Sequence, residues 1–197
     1  MVRVPFAMAA VMLTAAITVG AAFDSHAQSL GSVVLAQRKP EIAVTEAAGV
    51  YRVTAVFTVP ASAITVASVL TDYERIPEFM PDVKTSQVLE RSDAGLVVAQ
   101  EAAAKFLMFN KRIHLVLDVS EDRGTIRFRD RCGKSFARYE GAWRLSGGGE
   151  TTTVAYELSA KPSFDVPAFV LRRLLKRDAA GMIERLHNEI VARAATR

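Results

Sequence analysis

The residue that could do chemistry most directly is Asp130, which falls among apolar side chains in an alternating segment of the chain. A carboxylate on the apolar face of a sheet is costly to bury unless it gains a hydrogen-bonding partner. Together with the phenol of Tyr139 or Tyr156, it could act as acid and base on a bound substrate. The alternatives are a structural bond to an inward residue such as Tyr139, or a bond to the polar head of a ligand.

Other catalytic and metal-binding patterns are missing from the sequence. His114 and His187 have no carboxylate or second histidine at the spacing of metal ligands. The single cysteine, Cys132, excludes an internal disulfide and a multi-cysteine metal cluster. No Gly-x-Ser-x-Gly nucleophile elbow and no glycine-rich phosphate loop occur. We therefore expect no metal and no cofactor.

Basic residues cluster in one short stretch, which contains Arg172, Arg173, Lys176 and Arg177. Such a patch suits peripheral contact with an anionic membrane, although a run of charge is more often a solvated helix face. Elsewhere Lys and Arg alternate with Asp and Glu, and the formal net charge is only +4. That distribution is typical of a mixed solvated surface and argues against a nucleic-acid partner.

The N-terminal segment has the pattern of an export signal. Arg3 is followed by an apolar run from Val4 to Phe23, and Ser25-His26-Ala27 then has small residues at the two positions where a signal peptidase requires them. Because the run is rich in alanine and only weakly hydrophobic, a cleaved signal over residues 1–27 is favoured over a retained membrane anchor. We expect an exported protein, periplasmic or secreted, that begins at Gln28.

A linker and one folded domain should follow the signal. Residues 28–48 mix Gly31, Pro40 and scattered charges without a sustained period, so no element is predicted there. Residues 49–197 are long enough for one domain with a core and a cavity. Val50 to Val59 predicts the first strand, and two short helices should follow it before Pro81.

Six more strands are predicted where apolar and polar residues alternate. They span Val83–Arg91, Leu96–Phe109, Arg112–Ser120, Thr125–Cys132, Ala137–Ser146 and Thr151–Lys161. The breaks between them are short and contain Gly, Asp or Asn, so the sheet should be an antiparallel meander. A turn at Asp122-Arg123 would pair Leu117 with Phe128 and Leu115 with Asp130.

The last predicted element is a long amphipathic helix from about Asp165 to Ala195, whose apolar stripe starts with Ala168 and Leu171. This stripe should cover one face of the sheet in an α+β fold. A straight helix cannot fill a strongly curved sheet, so a cavity should remain between them. We predict that its lining comprises Leu115, Leu117, Phe128, Asp130, Tyr139, Gly141, Trp143, Tyr156, Leu175, Met182 and Leu186.

Several short motifs occur in one order along the domain. They are Val59-Pro60-Ala61-Ser62, Leu70-Thr71-Asp72-Tyr73, Ile76-Pro77-Glu78-Phe79-Met80-Pro81, Ser86-x-Val88-Leu89 and Gly141-x-Trp143. In order and spacing they resemble the START-like SRPBCC superfamily, in particular its polyketide cyclase/dehydrase and coenzyme Q-binding group. The resemblance covers about Val50 to Ala194 and implies a helix-grip fold, in which a curved antiparallel sheet wraps around a long C-terminal helix.

The resemblance also implies a deep apolar cavity for a lipid, an isoprenoid quinone or a polycyclic compound. We therefore expect an exported monomer that binds or transports a hydrophobic small molecule. The alternatives are a cyclase or dehydratase with Asp130 as its catalytic residue, and an interaction module without a ligand. Relatives that bind quinones tend to carry a cysteine soon after the proline matching Pro81, where this chain has Asp82-Val83.

Overall fold

The computed structural model describes residues 40–106, 109–165 and 167–196, which form an antiparallel sheet, short helical segments and a long helix. The predicted signal sequence, residues 1–27, and residues 28–39 of the predicted linker lie outside the described residues. Within the described ranges, no helix is both long enough and apolar enough to cross a membrane.

The sheet has eight strands, one more than the sequence predicts. They are β1 (Glu41–Ala47), β2 (Val50–Val59), β3 (Val83–Ser92), β4 (Gly95–Phe106), β5 (Phe109–Asp122), β6 (Thr125–Asp130), β7 (Phe136–Ser146) and β8 (Thr152–Pro162). The strand order is β1-β2-β8-β7-β6-β5-β4-β3, and neighbouring strands are antiparallel. The meander predicted from β3 to β8 is therefore correct.

The helical segments are α1 (Ala63–Leu70), a 3₁₀ turn (Tyr73–Arg75), α2 (Ile76–Phe79) and α3 (Ala168–Ala195). Ser62 caps α1, because its hydroxyl accepts a hydrogen bond from the backbone N–H of Thr65 at 3.2 Å. Pro77 lies in the first turn of α2, where a proline costs no hydrogen bond. The two predicted short helices are present, with the 3₁₀ turn between them.

β1 lies in the segment for which the sequence predicts no element. It pairs with β2 through a two-residue turn at Ala48-Gly49, whose φ angles are 50° and 75°. Ile42 and Val44 of β1 pack against the core but remain partly buried. The folded domain therefore begins before residue 49. The strand was missed because its alternation is short and lies at an edge of the sheet, where the pattern is weak.

The hairpin between β5 and β6 corrects the predicted register by two residues. Its turn is Arg123-Gly124, with φ angles of 39° and 80°, and not Asp122-Arg123. Two-residue hairpin turns of this type need positive φ at both positions, which Gly124 adopts without strain. As a result Leu117 pairs with Asp130. A shift of two residues leaves every side chain on its predicted face.

α3 is packed into the core from about Leu175 onwards. Its buried residues are Ala179, Ile183, Leu186 and Ile190, which contact the region formed by α1, β1 and β2. Ala168, predicted to begin the apolar stripe, is exposed, and Leu171 is only partly buried. The predicted stripe is thus wrong for the first turns of the helix.

Candidate functional site

The core is divided into two apolar clusters. The first joins α3 to α1, β2 and β8, and the second joins β4, β5 and β6 to Tyr73. The residues that pack against both clusters all remain partly accessible, and they are Leu70, Phe128, Phe136, Tyr139 and Trp143. Together these side chains form the junction at which the two buried clusters meet. This junction, called the gap below, is the candidate site.

Aromatic rings form much of the boundary of the gap. The ring centroid of Tyr139 lies 5.0 Å from that of Phe136 and 5.9 Å from that of Phe128. The Trp143 and Tyr156 rings are 4.3 Å apart on neighbouring strands β7 and β8. These separations are typical of interacting aromatic pairs, which hold one another in place. The side chains at the gap are therefore largely apolar rings in mutual contact.

Two tyrosine phenols give the gap its polar character. Burial raises the pKa of Tyr139 to about 12, and the negative charge of Asp130 adds to this increase. Burial also raises the pKa of Tyr156 well above its ordinary value, with Tyr139 as the second cause. A phenol is neutral at pH 7 even at its ordinary pKa of 10.0, and these increases keep both phenols neutral further into the alkaline range. Each can donate a hydrogen bond without bringing a charge into the apolar interior.

Asp130 is occupied by backbone amides. Its Oδ1 accepts hydrogen bonds from the N–H groups of Val116 at 2.9 Å and Cys132 at 3.3 Å, and its Oδ2 accepts one from Gly133 at 3.0 Å. These bonds close the end of β6 against β5, as aspartates commonly do at turns. The structural alternative for Asp130 therefore has direct support, although the partners are backbone groups and not the phenol of Tyr139.

Gly141 serves close packing, and this corrects the expectation that it opens space for a ligand. A Cβ atom added at this position would clash with the carbonyl oxygen of Glu157 and would lie 2.6 Å from the Phe128 ring. The space beside Gly141 is thus already filled by Phe128. Glycine is needed here because β7 and β8 approach closely, which a side chain would prevent.

Comparison with known proteins agrees with this architecture. A family model described as "Polyketide cyclase / dehydrase and lipid transport" matches residues 59–187. The chain belongs to this family. The resemblance to the START-like SRPBCC superfamily noted from the sequence motifs is thereby confirmed. No curated protein sequence matches the chain.

Solved structures with the START-like fold superpose on most of the chain. A START superfamily protein from Mycobacterium smegmatis has a TM-score of 0.62 and 19% identity, over 72% of this chain and 97% of the other. The Zhui aromatase/cyclase from Streptomyces sp. R1128 has a TM-score of 0.61 and 18% identity, over 73% and 95%. A STAR-related lipid transfer protein from Xanthomonas axonopodis has a TM-score of 0.59 and 19% identity, over 77% and 98%. The predicted helix-grip fold is confirmed.

The remaining residues that the sequence predicts to line a cavity lie in the two clusters. Leu115 and Leu117 are buried in the second cluster. Leu186 is buried in the first cluster, against which Leu175 and Met182 pack with part of their surface accessible. The structure therefore distributes the predicted residues over both clusters, and Tyr139 and Trp143 lie directly between them.

Sequence reasoning missed three residues near the gap: Leu70, Phe136 and Phe164. Leu70 ends α1 and packs against both clusters, while the Phe164 ring lies 6.3 Å from that of Phe136. Phe136 begins β7, one residue before the predicted start of that strand. Strict alternation from Tyr139 and Gly141 would place Ala137, and not Phe136, on the inner face. The register irregularity between Phe136 and Arg138 brings Phe136 beside Tyr139, and the sequence pattern does not show that irregularity.

The predicted membrane patch lies on the part of α3 that is not packed. Arg172, Arg173 and Lys176 are exposed there, whereas Arg177 forms an ion pair with Asp178 at 3.0 Å. Phe169, at the start of the same helix, is 78% exposed. A large exposed apolar side chain therefore accompanies the basic residues at the start of α3.

Proposed function

We propose that the protein binds a hydrophobic small molecule, such as a lipid, an isoprenoid quinone or a polycyclic compound, in the gap between its two apolar clusters. The observation that carries this proposal is that the residues joining the clusters, among them Tyr139 and Trp143, are aromatic or apolar and only partly buried. Similarity to a lipid transfer protein and to an aromatase/cyclase supports the same conclusion.

The chemistry of the gap suits a ligand that is apolar over most of its surface and carries an oxygen acceptor. Removing apolar area from water contributes about 25 cal/mol per Å². The neutral phenols of Tyr139 and Tyr156 are available as donors to a carbonyl or hydroxyl oxygen of the ligand. A charged headgroup would have to remain outside, because an unpaired charge in the gap would be too costly.

Native mass spectrometry of protein purified from its own cell envelope tests the proposal. We expect a retained ligand, which unfolding releases. Trp143 is the only tryptophan of the chain, so its emission should change when a fatty acid or an isoprenoid alcohol binds. Protein that carries no ligand and whose emission stays constant across such a panel would contradict binding at this site.

Matched substitutions separate the gap from the rest of the surface. Leu70 packs against both clusters, so Leu70→Phe adds volume where a ligand would lie. Leu89 is 54% exposed, so Leu89→Phe makes the same chemical change on the surface. The first variant should weaken ligand binding, and the second should not. Equal binding by both folded variants would place the ligand elsewhere.

The enzyme alternative receives less support from the geometry. The carboxylate of Asp130 is engaged by the amides of Val116, Cys132 and Gly133, so accepting a substrate proton would weaken the contacts that close β6 against β5. If the protein were a cyclase or dehydratase, Asp130→Asn would abolish turnover of a bound polycyclic substrate while its binding persisted. Turnover retained by this variant excludes Asp130 as the catalytic base.

We also propose that the first turns of α3 contact anionic membranes. Phe169 and the basic residues Arg172, Arg173 and Lys176 are spaced by three, four and seven positions, which places them on one broad side of the helix. An exposed aromatic ring flanked by cations is typical of interfacial helices. Replacing Phe169 by Ser, and Arg173 and Lys176 by Gln, should reduce sedimentation with phosphatidylglycerol vesicles. Unchanged sedimentation would contradict the proposal.

Export is the remaining part of the proposed function. The apolar run from Val4 to Phe23 and the small residues near Ala27 support cleavage by a signal peptidase. N-terminal sequencing of the purified protein should find Gln28 as the first residue, in a periplasmic or secreted fraction. An intact Met1 in a membrane fraction would instead indicate a retained anchor.

A further inference from the structure

The outer face of the sheet, opposite the gap, contains a concave groove of about 530 Å³. Ala142 is one of its lining residues and is only 2% exposed, because longer side chains on neighbouring strands surround it. Small residues also line the groove at Gly141, Ser120 and Ser159. The groove is open to solvent, so a bound molecule would be contacted mainly from one side.

Strand register brings arginines together around this groove. Arg127 on β6 pairs with Ala142 on β7, and Arg129 pairs with Glu140 one step along the same strands. Ser159 on β8 then lies between Glu140 and Arg52 of β2. Neighbouring strands are separated by only about 5 Å, so long side chains on this face reach one another. The arginines lining the groove are Arg52, Arg127, Arg129, Arg138 and Arg144.

Carboxylates neutralise only part of this positive charge. Glu140 is shared by Arg129, at 3.1 Å, and Arg138. Glu157 pairs with Arg144 at 2.8 Å. The third carboxylate of the lining, Asp118, pairs at 3.2 Å with Arg131, which lies outside the groove.

Arg52 and Arg127 are left without a carboxylate at salt-bridge distance among the described residues. Their charges add to that of Arg144 in lowering the pKa of Glu157, so both guanidinium groups act on the same region. Five arginines face three carboxylates in the lining, and the groove is therefore positive.

We propose that this groove binds a small oxyanion that carries two or more phosphate or carboxylate groups. Guanidinium groups match both kinds of oxyanion, because their planar N–H donors can bind two oxygens at once. The concave shape and the limited volume fit a small molecule rather than a flat bilayer surface or a duplex. The arginine side chains of the groove lie on the face of the sheet opposite the gap, and Phe128 is the gap residue that also borders the groove.

Isothermal titration of the mature protein with tripolyphosphate and with citrate, at fixed ionic strength, tests the proposal. We expect saturable binding of at least one of these probes. The double variant Arg52→Gln/Arg127→Gln should weaken it roughly tenfold or more, since charged hydrogen bonds are lost. Arg91→Gln/Lys134→Gln is the matched control, because it removes the same charge at exposed positions outside the groove. The control should bind like the unmodified protein.

The outcomes separate the sources of the oxyanion. Binding of tripolyphosphate alone identifies a phosphate ligand, and binding of citrate alone identifies a polycarboxylate. No saturable binding of either probe at millimolar concentration overturns the proposal. Equal weakening in the control variant also overturns it, because the attraction would then come from net charge and not from the groove. Loading the gap with a fatty acid should leave the titration unchanged, which distinguishes this site from the proposed hydrophobic one.

Discussion

Arg193, near the end of α3, donates a hydrogen bond to Asp72 at 2.7 Å across 121 residues of sequence. The same guanidinium binds Glu189 on its own helix and lies over the ring of Phe79, with 5.8 Å to the ring centroid. About two helical turns earlier, Arg185 pairs with Asp82 at 3.0 Å. The segment from Asp72 to Asp82 is therefore held to α3 at both of its ends.

Replacing Arg193 by Met should destabilise the protein by about 1–3 kcal/mol, since Asp72 and Glu189 would lose their shared partner in a partly buried setting. The side chain of Arg193 is 20% exposed, and that of Arg75, which also pairs with Asp72, is 53% exposed. Arg75→Gln is thus the control and should cost much less, because a solvent-exposed ion pair contributes little to stability. Urea denaturation measures the free energy of unfolding of both variants. Equal decreases would show that the ion pair between Arg193 and Asp72 stabilises the protein no more than the exposed pair between Arg75 and Asp72.

Asp130→Asn should destabilise the fold by roughly 1–3 kcal/mol. An amide cannot accept all three backbone N–H groups, and its NH₂ group would face one of these donors. Loss of the negative charge should also lower the pKa of Tyr139, although burial keeps that pKa above its ordinary value. Thermal melts and absorbance titration of the tyrosines at alkaline pH check both effects. An unchanged melting temperature would show that these three bonds are not needed.

Stability should fall as the pH rises above 10. The pKa of Tyr139 increases from 10.0 to about 12 on folding, so the folded protein holds this proton more tightly than the unfolded chain does. The resulting stability is complete below pH 10 and is lost as the pH rises through 12, at up to about 1.4 kcal/mol per pH unit. In Tyr139→Phe the loss of stability with rising pH should be smaller. It should not vanish, because burial also raises the pKa values of Tyr73 and Tyr156. Denaturation curves measured on both sides of the ordinary tyrosine pKa of 10.0 test this.

Gly141→Ala should destabilise the protein by about 1–3 kcal/mol or more, because the added methyl group meets the Glu157 carbonyl and the Phe128 ring. Gly148→Ala is the matched control, since nothing lies within 4 Å of the position of its Cβ atom. Calorimetry should show a lower melting temperature for Gly141→Ala and an almost unchanged melting temperature for Gly148→Ala. If both melt alike, the strands can move apart at Gly141 without cost.

Regular alternation predicts most of the sheet, because each strand from β3 to β8 has one apolar face and is bounded by turn residues. Prediction fails where the pattern carries less information. β1 has no fully buried residue, and Leu171 is apolar but has no sheet beneath it to bury it. Side-chain faces are predicted better than registers, as the hairpin at Arg123-Gly124 shows.

The candidate site is only partly predictable for a related reason. Alternation places Tyr139 and Trp143 on the inner face, but it cannot show that the core separates into two clusters there. The partners of Asp130 are backbone groups of the chain around it and of β5, and a sequence pattern does not record where an N–H group points. The arginine groove depends on which residues become neighbours across five strands, which requires the registers themselves.

The division of the core also governs how the protein should open. Among the described residues, the second cluster contains no residue of α3, whose buried side chains all belong to the first. Cooperative units of this kind commonly differ in hydrogen-exchange protection. Amide protons of β2 and β8 should exchange only through global unfolding, and those of β4 and β5 through a smaller, sub-global opening. A ligand would then enter and leave between the clusters through this sub-global opening, without global unfolding. Its release rate should therefore be insensitive to mutations that change only the stability of the first cluster, which contains α3.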